Sequence, residues 1–361
     1  MRGHYTVHGF DTSAATRKLE AVVRYKGLPY EYRHEHARDR QKLEQRAGSR
    51  ELPVLETPEG WFLHDTSAIC MLLERLFPET PVLPATPVQR MVCHLIEDWA
   101  DHWLIRPALH FRWCRERDAR ERGLDFVHDL TAAPREGPLP RAERVQRDEL
   151  LERVIARGRR SAEGLAAGEE RQDEMEFAYL RFLDLLSAHV QRHRFLLGGQ
   201  PCLADFALFG VIEAHFAVDP TPREIAAFRA GAIFAYARRV CEARFDLVAA
   251  AAAEAPASPR VGWLAGDTIS ISLLSLIEVI AQGYHQFLEA NHAALKSGAE
   301  DVSLDLGFGR WTVAARRDDE CRRVVLADRI ASLGADDRRQ VQAMLDPLGA
   351  WSVYEIPPLS S

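Results

Sequence analysis

Glu51-Leu52-Pro53-Val54-Leu55 sets a proline inside an apolar run that otherwise reads as a β-strand. Proline has no N–H to give to a ladder, so a strand that carries one marks an edge. An X-Pro bond at such a place is a candidate for the cis form, at an intrinsic cost of about 0.5–1 kcal/mol. We expect a cis bond before Pro53 and a Leu52 backbone open to pairing with an extended peptide. Ten residues on, Asp65-Thr66-Ser67-Ala68-Ile69 opens an apolar-periodic helix with a carboxylate and a hydroxyl. The first turn of a helix has free N–H groups and the positive end of the dipole, so Asp65 and Thr66 suit the charged ends of that peptide. The same two residues also read as ordinary helix caps.

Around this pair the first 80 residues alternate strand and helix in a βαβ then ββα order. Tyr5 to His8 reads as a strand, Thr16 to Tyr25 as a helix stopped by Lys26-Gly27, and Tyr30 to His34 as a second strand. A polar segment runs to Ser49. The strand Leu52 to Glu56 and the strand Trp61 to His64 flank a turn at Thr57-Pro58-Glu59-Gly60, and a helix from Thr66 to Phe77 ends before Pro78. Pro58 suits the second position of the turn, and Gly60 tolerates a positive φ. After the proline-rich linker Pro78 to Pro84, helical periodicity alone continues: Val88 to about Asp118, Glu143 to Ala156, Glu174 to His193, Leu203 to Phe216, and Pro222 to Ala251. Thr131 to Pro140, with three prolines, reads as an exposed insertion. From residue 258 a third part begins with a helix, Thr268 to Ala293. A hairpin follows, Val302 to Leu306 and Trp311 to Ala314 about Gly307-Phe308-Gly309-Arg310.

Composition narrows the function classes. The chain has 361 residues, enough for two or three domains, and a formal charge of −7, which argues against nucleic acid as a principal partner. The longest apolar run, Ile269 to Ala281, contains three serines and Glu278 and is too short to span a bilayer. No charged n-region followed by an apolar h-region opens the sequence, so no membrane partner and a cytoplasmic location are the expectations. The six cysteines are scattered with no Cys-x-x-Cys pair, which fits reduced thiols better than a disulfide framework or a zinc site. His34-Glu35-His36 is the one close histidine pair, and it reads as a solvated strand; no metal is expected.

The Pro53 strand followed by Asp65-Thr66 resembles the glutathione-binding half of the glutathione transferase family, and the strand order resembles a thioredoxin-like domain. The likeness covers residues 4 to about 245. It implies an α+β chain: a thioredoxin-like glutathione-binding domain over residues 1–80, an all-α transferase domain over 85–250, and a small α+β extension over 258–361. The extension, with its Gly-Trp-Leu start and glycine-bounded hairpin, resembles those of some long bacterial transferase-like proteins, which names a subgroup and no reaction. Gly199 to Phe206 resembles the family's capping box at the start of a core helix, with Cys202 in the hydroxyl position and Asp205 reaching back to its N–H.

The resemblance also implies site residues. In the family the loop after the first strand supplies a hydroxyl or thiol at the start of the first helix. Here Ser13 stands four residues before Arg17, matching the family's Ser-Pro-x-x-Arg-Lys spacing with Ala14 in place of proline; Thr12 is the alternative register. The chemistry asks for a hydroxyl that donates to a thiolate. Lowering a thiol pKa from about 8.5 by two units takes about 2.7 kcal/mol. A hydrogen bond to a charged group contributes roughly 1.5–3 kcal/mol and a helix N-terminus about 0.3–1 kcal/mol, so no general base is needed. Either residue also reads as a plain N-cap. Leu52, Pro53, Val54, Asp65 and Thr66 are the implied glutathione contacts. Arg50 and Arg46, in the loop before the proline strand, stand between a role at the glycyl carboxylate and that of solvated surface arginines. Trp99, Trp103 and His110, at spacings of four and seven on the first long helix, share a face that reads as core or as the wall of an acceptor pocket. The implied partners are glutathione as co-substrate and a small electrophilic molecule, with a homodimer as the assembly. A binding or scaffold protein that keeps the fold without turnover is the rival reading.

Overall fold

The computed structural model describes residues 3–35, 37–131, 140–254 and 262–359. β1 (Tyr5–Gly9), buried at all five positions, is one of the two inner strands of a four-stranded sheet; the other is the strand that follows Pro53, which is therefore not the edge its proline suggests. It pairs parallel with β2 (Tyr30–His34) and antiparallel with β3 (Val54–Glu56), and β4 (Phe62–Leu63) closes the order β2-β1-β3-β4. α1 (Ala14–Tyr25), α2 (Ala37–Ala47) and α3 (Thr66–Leu76) complete a thioredoxin-like domain. The hairpin turn closes through a Gly60 N–H donating to the Thr57 carbonyl at 2.9 Å, with Gly60 at φ 85. The Leu52-Pro53 bond is cis, and the strand begins after it, at Val54 rather than at Leu52. The polar segment before Ser49 is a helix, α2. Its Arg, Gln, Lys and Glu residues are good helix formers, but with Leu43 as the buried anchor it shows no apolar stripe to read.

Among the described residues up to Glu254, only helices follow. These are α4 (Pro87–His102), α5 (Ile105–Cys114), α6 (Glu116–Thr131), α7 (Arg141–Glu163), α8 (Gln172–Val190), α9 (Leu203–Val211), α10 (Pro220–Arg229), α11 (Ala232–Cys241) and α12 (Phe245–Glu254). The long helix expected from Val88 to Asp118 is broken twice. Trp103 and Leu104 both donate to the Trp99 carbonyl, ending α4, and Arg115 is extended at φ −103, ending α5. Most of the insertion expected over Thr131 to Pro140 lies outside the described residues. α9 is buried at every position, as befits an apolar helix packed against both α1 and α4. Asp205 caps it as expected, accepting the Cys202 and Leu196 N–H groups at 2.8 and 2.9 Å and the Tyr236 hydroxyl at 2.8 Å. Gly210 lets α9 reach the α1 backbone: a Cβ there would stand 2.4 Å from the Ala14 carbonyl oxygen. Gly210→Ala is therefore expected to cost about 1–3 kcal/mol by overpacking, read from the denaturant midpoint. A loss below about 0.5 kcal/mol would mean that the two helices separate freely.

The extension folds onto the same core. α13 (Ile271–Ile280) runs through a π turn, Ala281–His285, into α14 (Gln286–Ser297), much as expected for Thr268 to Ala293. The hairpin β5 (Asp301–Leu304) and β6 (Trp311–Ala314) turns through Gly307 and Gly309 at φ 93 and 82. α15 (Arg317–Ala331) and α16 (Ala335–Leu345), absent from the sequence reading, lie along α4. One hydrophobic cluster runs from Tyr5 through Phe206 to Tyr354. Asp267 even caps α4, accepting the Val88 and Gln89 N–H groups at 2.9 and 2.8 Å, a role the side chain of Thr86 does not take.

Tyr284 of the extension donates to Asp98 of α4 at 2.9 Å. Burial, with Glu97 beside it, pushes the Asp98 carboxyl up to about 7. Since that lies above the unfolded value of about 3.9, the stability it contributes is present below about pH 4 and is lost as pH rises through about 7. Asp98→Asn keeps an acceptor for Tyr284 and removes the titration. It should flatten the fall in melting temperature between about pH 4 and 7, and equal slopes in the two proteins would exclude a protonated Asp98. No helix among the described residues is long and apolar enough to cross a membrane.

Candidate functional site

The loop that leaves β1 is held at each residue before α1 starts. Asp11 accepts from the Tyr32 hydroxyl at 2.8 Å and from Arg17 at 2.5 Å. Burial raises its carboxyl, but the Tyr32 hydroxyl, Arg17 and His34 together hold it below the ordinary range. The Thr12 carbonyl accepts from Arg112 of α5 at 3.2 Å. Ser13 is the N-cap of α1: its N–H donates to the Phe10 carbonyl at 3.2 Å and its Oγ accepts the Thr16 N–H at 3.3 Å. A serine hydroxyl has one proton and two lone pairs, so this cap uses a lone pair and leaves the proton to donate elsewhere. Capping and donation to a thiolate are thus compatible in one residue.

Across the sheet, Val54 pairs with His8, which sets the Pro53 end of β3 beside the end of β1 that feeds this loop. Asp65 is exposed at φ 70, a positive φ that few residues other than glycine tolerate. Its carboxylate accepts the Ala68 N–H at 3.2 Å and caps α3. The N–H groups of Thr66 and Ser67 then remain in the first turn without intrahelical partners, as at any helix start. Behind them lies a buried ion cluster. Lys18 of α1 donates to Glu97 at 2.5 Å and to Asp101 at 2.6 Å, both on α4, while the Ser67 hydroxyl donates to the same Glu97 oxygen at 2.5 Å. Lys18 also stands 3.4 Å from Ser67, so α1 and the first turn of α3 are tied to each other and to α4. Arg46 lies over the Phe62 ring at 3.8 Å, and Arg50 is largely exposed, 3.7 Å from Glu44.

The three candidates for an acceptor wall go to separate places. Because α4 ends at His102, His110 sits on α5 and the seven-residue spacing no longer defines a shared face. Trp99 is in the core against Phe182; Trp103 packs on Tyr284 and Phe287 of the extension. His110 is buried with Nδ1 3.1 Å from the Ala167 carbonyl. Residues that the sequence reading passed over carry the frame instead: Lys18, Glu97, Asp101, Arg112 and Asp219. The available signal was a lysine on the buried face of α1 and carboxylates within an otherwise apolar α4. His34 and Glu35 diverge, His34 toward Asp129 at 3.1 Å and Glu35 to His8 at 2.6 Å, and His36 lies outside the described residues. Among the described residues no three metal-ligating side chains converge. Two shallow surface grooves, of about 380 and 230 Å³, are lined by residues of Ala217–Phe234 and of Arg194–Ala251 and by none of the candidates above.

Residues 7–81 match the family model described as "Glutathione S-transferase, N-terminal domain". That match places the N-terminal domain in the glutathione S-transferase family. No curated protein matches the sequence. Among solved structures, the chain is similar to the beta-etherase LigF from Sphingobium sp. strain SYK-6, at 18% identity and a TM-score of 0.46, covering 67% of this chain and 96% of that one. It is similar to a glutathione S-transferase from Methylobacterium radiotolerans in complex with glutathione sulfonate, at 20% identity and TM-score 0.39, over 74% of this chain and 100% of that one. FzlA from C. crescentus shows 17% identity and TM-score 0.41, over 75% and 97%.

Proposed function

We propose that this protein binds glutathione across Ser13, Leu52–Val54 and Asp65–Thr66 and uses the bound thiolate on an electrophilic, apolar small molecule. The observation that carries this reading is the Ser13 hydroxyl, fixed at the N-terminus of α1 as an acceptor and donating to no group among the described residues. In this reading the Leu52 backbone pairs with the extended peptide, Asp65 meets the amino group, and the α3 N–H groups with Thr66 meet a carboxylate. Arg50 reaches the glycyl carboxylate, and Thr12 stands in reserve for Ser13. Attack by sulfur on an electrophilic carbon expels a leaving group or opens a ring; reversible addition isomerises. Residues 1–80 act as the glutathione domain, 85–250 as the helical domain that supplies the apolar site, and 258–361 as an extension packed on it. The protein works as a cytoplasmic homodimer.

Calorimetric titration with glutathione tests the binding half. Asp65→Ala should weaken it about tenfold or more, whereas loss of a cap alone costs about 1 kcal/mol of stability and leaves affinity in place. A second reading, binding without turnover, is favoured by the burial of Trp99 and His110 and the packing of Trp103 on the extension, which removes the wall expected for an acceptor. Glutathione binding without conjugation of any of a panel of aryl halides and epoxides would select it.

A further inference from the structure

Arg112 is 1% exposed on α5, one hundred residues from the loop it touches. Its guanidinium is anchored first to Asp219, itself fully buried: Nε stands 3.0 Å from one carboxylate oxygen and Nη2 2.9 Å from the other. Asp219 occupies the N-cap position of α10 before Pro220, yet its side chain makes no cap bond, because the carboxylate is turned to Arg112. Nη2 also donates to the Ala214 carbonyl, in the π turn Ile212–Phe216 that ends α9. A planar fork held at these points has its remaining amino group, Nη1, in a fixed place, and one of the two N–H bonds there donates to the Thr12 carbonyl at 3.2 Å.

The Thr12 carbonyl and the Ser13 N–H belong to one rigid peptide plane. Arg112 holds one edge of the plane, and the Phe10 carbonyl holds the other through the Ser13 N–H at 3.2 Å. Fixing that plane fixes the Ser13 Cα, and the Arg17 N–H that donates to the Ser13 carbonyl at 3.1 Å fixes the plane that follows, so the two together set where the Ser13 side chain leaves the backbone. Ala14, the next residue, is set against α9 at Gly210. The loop is therefore aimed from the helical domain and not by the sheet alone.

We infer that Arg112 is a positioning residue for the thiol site: through the Thr12–Ser13 peptide it sets the direction of the Ser13 hydroxyl, with Asp219 and the π turn as its anchors. This rests on the reading of Ser13 as the donor to a bound thiolate. Arg112→Lys keeps the charge opposite Asp219 but has no fork, so it satisfies the carboxylate and leaves the Thr12 carbonyl. Hydrogen exchange of the Phe10–Ala15 segment should then speed up by about tenfold, the scale of one lost hydrogen bond, with global unfolding less affected. That readout needs no glutathione, so it stands whether or not the functional reading does. Exchange unchanged from the wild type overturns the inference. In the glutathione complex, Arg112→Lys should raise the bound thiol's pKa in the direction of Ser13→Ala, and in a Ser13→Ala background Arg112→Lys should produce no further shift. A thiol titration unmoved by Arg112→Lys, in a protein where Ser13→Ala does move it, also overturns it. Should Arg112→Lys fail to fold, Asp219→Asn, which preserves shape while weakening the anchor, takes its place with the same two expected outcomes.

Discussion

Lys18→Met should destabilise the protein by about 3–5 kcal/mol, the cost of breaking a buried ion pair by removing one partner. The Lys18 ammonium is 1% exposed between Glu97, 6% exposed, and Asp101, 20% exposed. Burial lowers its pKa, yet Asp101 and Glu97 more than offset this and hold it above the ordinary lysine value. Burial raises the Glu97 carboxyl as well, but Lys18 outweighs it and brings it down to about 2, so Lys18 and Glu97 are ionic at any ordinary pH, while burial pushes Asp101 up to about 6. Methionine fills the volume of the stem and leaves two carboxylates facing each other with one serine hydroxyl between them. The loss has a signature that a packing defect lacks. It should shrink as pH falls and the orphaned carboxylates take up protons, and Lys18→Met with Glu97→Gln should recover part of it. Denaturant unfolding across pH measures all three, and a pH-independent loss below about 1 kcal/mol would show that the cluster is not ionic. Because Lys18 joins α1 to α4, the same substitution should loosen the first turn of α3 through Ser67.

Ser13→Ala should lower turnover at neutral pH and restore much of it at higher pH. Loss of a charge-assisted hydrogen bond of roughly 1.5–3 kcal/mol raises the bound thiol's pKa by about one to two units, so the thiolate fraction near pH 7 falls by about ten- to a hundredfold. The cap lost with it costs about 1 kcal/mol of stability, seen separately in thermal unfolding. Thr12→Ala is the control for register: Thr12 is held by its backbone carbonyl, so its side chain should be replaceable at little cost. If Thr12→Ala shifts the pH–rate profile and Ser13→Ala does not, the roles of the two hydroxyls are exchanged.

Much of this was legible along the chain because local rules determine it. Pro53, the Thr57–Gly60 turn, the Ser13 and Asp65 caps and the Cys202–Asp205 start of α9 each follow from a few adjacent residues. What was not legible depends on distant contacts. Periodicity ran through the ends of α4 and α5 because apolar residues on both sides keep a helical repeat, although Pro107, in the first turn of α5, has no N–H to give the Trp103 carbonyl and marks that break locally. Arg112 and Lys18 sit in segments rich in surface-like charge. Nothing local distinguishes Arg112, bound to Asp219 more than a hundred residues away, from its exposed neighbour Arg117.

The central claim is that the site holds a thiolate. The direct measurement is ultraviolet thiolate absorbance of glutathione bound to the wild-type protein, followed across pH. A serine donor at the start of α1 predicts a bound thiol that titrates one to two units below the free value of about 8.5. A bound thiol that titrates where the free one does, or the absence of any bound glutathione, would contradict it.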